Sequence, residues 1–166
     1  METAWEKCHD CREMKTSILS AVCISLLSIA AFQAPAAAKD GDGPWLTNYE
    51  QALKTASAEK LPVLVNFTGS DWCGWCIRLD QETFSQPGFL DFAKKNVVLL
   101  KVDFPQKTQL PAEVAKENRA LATRYGVEGF PTLVLLNGAG KELDRNVGYL
   151  PGGPAAMEAW IKKHSH

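Results

Sequence analysis

The 166-residue sequence predicts an α/β fold, with one mixed four-stranded sheet at its centre and helices on both faces. Three observations predict it. Segments with apolar residues at helical spacing alternate with short continuous apolar runs, the mark of strands buried on both faces. The last two strand-like runs are joined by a Gly-rich turn, so the sheet ends in a hairpin. One central run leads through a short turn into Cys73-Gly74-Trp75-Cys76 at the start of a helical segment.

The first 38 residues stand apart from that fold. Thr16 to Ala38 carries no charge, and its centre, Ile18 to Phe32, is rich in Leu, Ile, Ala and Ser. Lys15 precedes it, Ala34-Pro35-Ala36-Ala37-Ala38 follows, and Lys39-Asp40 is abruptly polar. A positive start, an apolar stretch and a small-residue end make a secretory signal peptide. Cleavage is expected after Ala38, with Ala36 as the alternative site. The competing reading is an uncleaved anchor, but the apolar centre is short for a span of about 20 residues. Residues 1–13 are polar and acidic, unusual before such a stretch, and Met14 is the more natural start. Cys8 and Cys11 could be half a zinc site, yet no second Cys/His pair with suitable spacing follows. Cys23, preceded by Val22, lacks the small neighbour of a lipoprotein signal. The expected domain is therefore 39–166, in the periplasm or secreted, with Cys73 and Cys76 as its thiols.

Within that domain the elements follow in order. Asp42-Gly43-Pro44 is a breaker. Leu46, Tyr49, Leu53 and Ala56 fall at helical spacing, so a helix is expected from Leu46 to Lys60, with Thr47 or Asn48 at its start. Pro62 ends it, and Val63 to Phe67 is a buried strand. The helix after Cys76 runs through Leu79 to about Glu82, and Phe84 points inward. Pro87 opens a short helix with Phe89, Leu90 and Phe92. Val97 to Asp103 is a second buried strand, and Phe104 to Pro111 a loop. Ala112 to Tyr125 is a helix carrying Val114, Leu121 and Tyr125 on one side, capped by Gly126. Thr132 to Asn137 is the third strand. Gly138-Ala139-Gly140-Lys141 turns the chain, and the alternating segment from Glu142 to Tyr149 is an edge strand. Ala155 to Lys163 closes the fold with Met157, Trp160 and Ile161 facing inward.

Composition excludes several functions. The formal net charge is −1 and no basic run appears, so nothing favours nucleic acid. The cysteines are not spread along the chain as in a disulfide-stapled domain, so stability must come from a hydrophobic core.

The chemistry therefore centres on Cys73 and Cys76. A helix start carries partial positive charge from unsatisfied N–H groups. That charge favours a thiolate on the first cysteine, which is the nucleophile. The second, one turn on, can attack the resulting mixed disulfide. A purely structural disulfide over so short a loop would stabilise little. Zinc would need two further ligands, and the histidines of the domain, His164 and His166, are read as solvated at the C-terminus; no metal is expected. Asp71 is read as the cap of the following helix or as a proton relay. Asn66 is a buried amide that is hydrogen-bonded or tunes the redox pair. Trp75, between the cysteines, is expected to be exposed and to touch substrate. Arg78 and Asp80 read as a solvated helix face.

Trp72-Cys73-Gly74-Trp75-Cys76 after a buried strand, with Gly129-Phe130-Pro131-Thr132 before another, resembles the thioredoxin superfamily over nearly all of residues 45–163. The likeness is nearest to secreted bacterial disulfide reductases and isomerases, which share the Gly69-Ser70-Asp71-Trp72-Cys73-Gly74 core and a segment like Gly148 to Gly153. The resemblance implies an exposed attacking Cys73, a more buried resolving Cys76 and a cis-Pro131. It implies that the Phe130 backbone, Trp72, Gly74 and Trp75 meet an extended substrate chain. The implied activity is thiol–disulfide exchange with protein thiols and disulfides, needing no cofactor beyond the Cys73–Cys76 pair. The implied partner is a membrane electron donor or acceptor, and a monomer is the default. The sequence departs from thioredoxins where they carry a buried acid, because Asn66 stands there, and where they carry Gly-Pro between the cysteines. The alternatives are a non-catalytic chaperone of the same fold, or a dedicated reductase for cytochrome or metal-site cysteines.

Overall fold

The computed structural model describes residues 43–165. The signal-peptide reading, both cleavage positions, Cys8, Cys11, Cys23 and His166 lie outside the described residues.

The described chain runs α1 (Tyr49–Glu59), β1 (Val63–Thr68), α2 (Gly74–Leu79), a π-helical turn (Asp80–Phe84), α3 (Pro87–Asn96), β2 (Val98–Asp103), α4 (Ala112–Arg124), β3 (Thr132–Leu136), β4 (Glu142–Val147) and α5 (Gly153–His164). The sheet order is β2-β1-β3-β4. β1 pairs in parallel with β2, Val63 opposite Val98, and antiparallel with β3, Val63 opposite Leu136. β4 adds antiparallel to β3 as the outer strand. This is the mixed sheet the sequence predicts.

Alternation sends successive side chains of each strand to opposite faces, so the sheet divides two cores. Leu64, Leu133 and Leu135 meet Leu79, Phe89, Phe92, Met157 and Ile161 on the side of α2, α3 and α5. Val63, Val65, Phe67, Leu100 and Val134 meet Ala52, Ala56, Leu121 and Tyr125 on the side of α1 and α4. Every residue of β1 is buried, which is why that run lacks the polar alternation of a surface strand. Fully burying Met157 and Ile161 on α5 contributes about 1.5–3 kcal/mol each before entropy is counted.

Several details differ from expectation. Leu46 is not helical. Its N–H donates to Leu99 O at 2.9 Å and its carbonyl accepts from Lys101 N at 2.8 Å, so it covers the outer edge of β2. The helix begins at Tyr49, with Asn48 Oδ1 accepting from Gln51 N at 2.8 Å as its cap. The helix after the cysteines does not stop near Glu82 but widens into the π-helical turn, which buries Phe84. The last strand stops at Val147, because Gly148 takes φ +90° and its N–H turns back to Pro131 O at 2.8 Å. His164 is the last residue of α5, half-buried, with Nδ1 3.4 Å from Asp144 Oδ2, rather than solvated.

The turn at Gly140 requires glycine. Its φ is +76°, and a Cβ there would lie 2.5 Å from the Tyr49 hydroxyl. Tyr49 and Tyr125 share a 2.8 Å hydroxyl bond, and Tyr125 donates to Gly140 O at 3.0 Å. This buried pair ties α1 and α4 to the β3–β4 hairpin.

Candidate active site

The cysteines lie where the central strand ends. After Thr68 the chain turns tightly, with Cys73 N donating to Gly69 O at 2.9 Å. Cys73 is the N-cap of α2, in extended conformation, and its Sγ accepts from Cys76 N at 3.3 Å. Cys73 and Cys76 are disulfide-bonded, with Cα atoms 5.2 Å apart. The helical run from Gly74 continues through the π turn to Phe84, so its N-terminal partial charge is directed at Cys73. Cys73 is not exposed as the resemblance implied: it is 8% accessible and Cys76 4%. The side chain of Cys73 folds back over its own first turn, where the bond to Cys76 and the N–H of Cys76 hold it.

Asp71 does not cap α2, since Cys73 occupies that position. Its carboxylate accepts from the N–H groups of Gln106, Lys107 and Thr108 at 2.8–3.0 Å. These bonds, led by that of Gln106, hold its carboxyl below the usual value. Asp71 is thus the tether of the 104–111 loop. Beside it, Asp103 accepts from Ser70 N at 2.9 Å and Ser70 Oγ at 2.5 Å, so two carboxylates stitch the turn before the cysteines to the end of β2.

Two exposed tryptophans flank the disulfide. Trp72 donates from Nε1 to Phe104 O at 2.7 Å and meets Phe130 edge-on at 6.0 Å. Phe130 in turn stacks on Phe104 at 5.0 Å. A Cβ on Gly69 would sit 2.5 Å from the Trp72 ring, so the indole lies directly over that glycine. Trp75, 56% exposed, faces Tyr149 at 5.5 Å. The Arg78 guanidinium lies 5.6 Å from the Trp75 ring and 5.2 Å from that of Tyr149. Glu82 bonds Arg78 Nε at 3.0 Å and accepts from the Tyr149 hydroxyl. The Tyr149 bond first and Arg78 second hold the Glu82 carboxyl below its usual value. Arg78 is therefore part of the site's surface and not merely a solvated face.

The Phe130–Pro131 bond is cis, and Pro131 is buried at the start of β3. Gly74 opens α2, and nothing lies within 4 Å of where a Cβ would stand, so no contact in the site itself demands glycine there.

Asn66, in the middle of β1, is 5% exposed. Contrary to the simplest expectation, its Oδ1 has no hydrogen-bond partner among the described residues. It lines a cavity of about 200 Å³ together with Thr68, Ser70, Cys76, Asp80, Gln81 and Lys101. Among the described residues no group of three His, Cys, Asp or Glu is placed to hold a metal.

A family model for a thioredoxin-like domain matches residues 49–165. The chain belongs to the thioredoxin-like family. It is 39% identical over 115 residues to the disulfide bond reductase DsbH of Chlamydia pneumoniae, covering 69% of each protein. It is 27% identical over 136 residues to the thioredoxin-related protein DsbJ of the same organism, covering 81% of this chain but 38% of that one. A solved DsbH oxidoreductase structure superposes with a TM-score of 0.68 at 38% identity, over 73% of this chain and 83% of that one. A thioredoxin from Thermus thermophilus gives 0.53 at 27% identity, over 72% and 84%. Within this family the chain is a protein-disulfide oxidoreductase, and its fold class is that of the superfamily.

Sequence reasoning gave site roles to both cysteines, both tryptophans and Pro131, but quoted Gly69 and Tyr149 only inside shared segments, and read Arg78 as solvated without its partner Glu82. A signal existed for Gly69, a glycine three residues before a tryptophan in a tight turn. For Tyr149 the shared Gly148–Gly153 segment was the signal, but nothing local says that it meets Glu82, 67 residues away.

Proposed function

We propose that the chain is exported and reduces disulfides in protein substrates, with Cys73 attacking and Cys76 resolving. The observation that carries this reading is the Cys73–Cys76 bond at a helix start, between exposed Trp72 and Trp75. In the reduced enzyme the Cys73 thiolate attacks one substrate sulfur, the substrate bond breaks, and its other sulfur leaves as thiolate. Cys76 then attacks Cys73 Sγ in the mixed disulfide, which releases the second substrate thiolate and closes the Cys73–Cys76 bond. An extended substrate chain would lie beside Phe130 and Pro131, with side chains on the two tryptophans. The reductive direction is favoured by the named activity of the DsbH relative, a disulfide bond reductase. It requires a dithiol donor to return two electrons, and a membrane thiol–disulfide exchange protein has the right chemistry. The signal-peptide reading of residues 1–38 supports export, with a mature N-terminus at Lys39.

The test is insulin reduction by the dithiol-recycled protein. Cys73→Ser should abolish turnover, and Cys76→Ser should accumulate mixed disulfides. Unchanged turnover by Cys73→Ser would end the reading. N-terminal sequencing of the exported protein checks Lys39, and equilibration with glutathione buffers fixes the potential and hence the direction.

A further inference from the structure

The resolving step needs Cys76 as thiolate, yet Cys76 is 4% exposed. Its proton must leave through the protein or through water inside it. The β1 side chains that line a cavity with it are Asn66 and Thr68, an amide and a hydroxyl, neither of which takes a proton at any ordinary pH.

The cavity beside Asn66 lies at this point. At its inner end are Cys76 and the Asn66 amide, whose Oδ1 is buried and has no protein partner among the described residues. A buried acceptor of this kind is satisfied in native proteins by internal water, and about 200 Å³ is ample for more than one molecule. At its outer end are the exposed Ser70, Asp80 and Gln81. Asp80 follows Cys76 by four residues, so the two share a helix face, and the Asp80 N–H bonds the Cys76 carbonyl. The groups facing this space that can change charge are Cys76 and Asp80 from the helix and Lys101 from β2, where Lys101 is the register partner of Asn66. Lys101 as an ammonium has only donors. Of the residues lining the cavity, Asp80 alone carries a carboxylate. Its Oδ2 accepts from Ser85 Oγ at 2.9 Å.

We propose that Asp80 is the proton acceptor for Cys76, reached through water bound on Asn66 in this cavity. The inference rests on the resolving role of Cys76 proposed above. In the forward step the Cys76 thiol gives its proton to water, which passes one to the Asp80 carboxylate. The Cys76 thiolate attacks Cys73 Sγ, the Cys73–substrate S–S bond breaks, and the substrate leaves as thiolate. Asp80 then returns its proton to solvent at the cavity mouth. In the reverse direction the same route delivers a proton to Cys76 as the disulfide opens. The fold has thus moved the acid of the site from the strand to the helix, one turn beyond the buried thiol.

A chromogenic aryl disulfide mixed with the reduced protein tests this, because it releases coloured thiolate once on attack by Cys73 and again on attack by Cys76. Near pH 6, Asp80→Asn should slow the second release by about tenfold or more and leave the first within about twofold. Imidazole buffer should restore the second release in proportion to its concentration, and Asp80→Glu should keep it near the parent rate. Asn66→Leu, which fills the cavity and removes the water's acceptor, should slow the second release with Asp80 intact. Ser85→Ala keeps the carboxylate and should retain both phases, which separates the proton route from the local fold. A second release that is unchanged or faster in Asp80→Asn overturns the proposal. Acceleration is what removing a negative charge beside a forming thiolate would do by electrostatics alone. An unchanged second release in Asn66→Leu overturns the water path. Loss of the first phase in Cys76→Ser but not in Cys73→Ser would instead overturn the assignment of roles.

Discussion

The two sides of the disulfide are built differently. Trp72 is fixed largely through backbone: it lies on Gly69, its Nε1 donates to the Phe104 carbonyl, and its ring meets Phe130, which is itself stacked on Phe104. Trp75 meets the side chains of Arg78 and Tyr149, which Glu82 joins to each other; Arg78 and Glu82 are exposed, and Tyr149 is half-buried. The first wall is a fixed feature of the fold, and the second can yield. Exposed ion pairs contribute little and are screened by salt, so on the substrate path proposed above the Trp75 side would reshape around different chains while the Trp72 side would set their position.

The largest effect should come from Gly69→Ala. The new Cβ would collide with the indole, and the displaced Trp72 would lose its bond to Phe104. The expected cost is about 1–3 kcal/mol in urea denaturation, with a shift in tryptophan emission; an unchanged midpoint would mean that the Trp72 wall is as yielding as the other. Next is Asp71→Asn, which turns three charge-assisted bonds into neutral ones. Amide exchange at Gln106, Lys107 and Thr108 should quicken by about tenfold, since ionised acceptors bond roughly twice as strongly. The pH dependence follows from the lowered carboxyl of Asp71. A group whose folded value is depressed stabilises above its unfolded value and loses that contribution as pH falls through the folded one. The loop should therefore stay tethered at neutral pH and loosen below about pH 4 in the parent, and this acid transition should vanish in Asp71→Asn.

Trp75→Ala should leave stability within about 0.5 kcal/mol and raise KM for an unfolded disulfide substrate about three- to tenfold, the value of one exposed aromatic contact. A stability loss as large as that of Gly69→Ala would erase the contrast between the walls. Tyr149→Phe should have the smallest effect. It removes one exposed bond to Glu82 but keeps the ring, so KM should change by less than about twofold. Added salt should shrink even that difference, by weakening the neighbouring Arg78–Glu82 pair.

Most of the architecture was readable because its signals are local. Continuous apolar runs at 63–67, 97–103 and 132–137 marked strands buried on both faces, and three of the four lie there. Leu46 misled because its spacing fits a helix, while its backbone pairs with a strand more than fifty residues on. Asp71 misled for a related reason. An aspartate two residues before a cysteine at a helix start looks like a cap, but the loop after β2 offered three N–H groups within reach. His164 looked solvated by position, and β4 supplied Asp144 to meet it.

By itself the sequence determined the element order, the two-sided burial of the sheet and the pair of thiols at a helix start. These follow from periodicity and from helix-end chemistry, which act over a few residues. Tertiary structure alone decided that Cys73 is sheltered, that Asp71 holds a loop, that Tyr149 joins Trp75, and that Asn66 and Asp80 open onto one cavity behind Cys76. Each depends on chain segments far apart in sequence packing side by side, and no local pattern records which side chain will be waiting there.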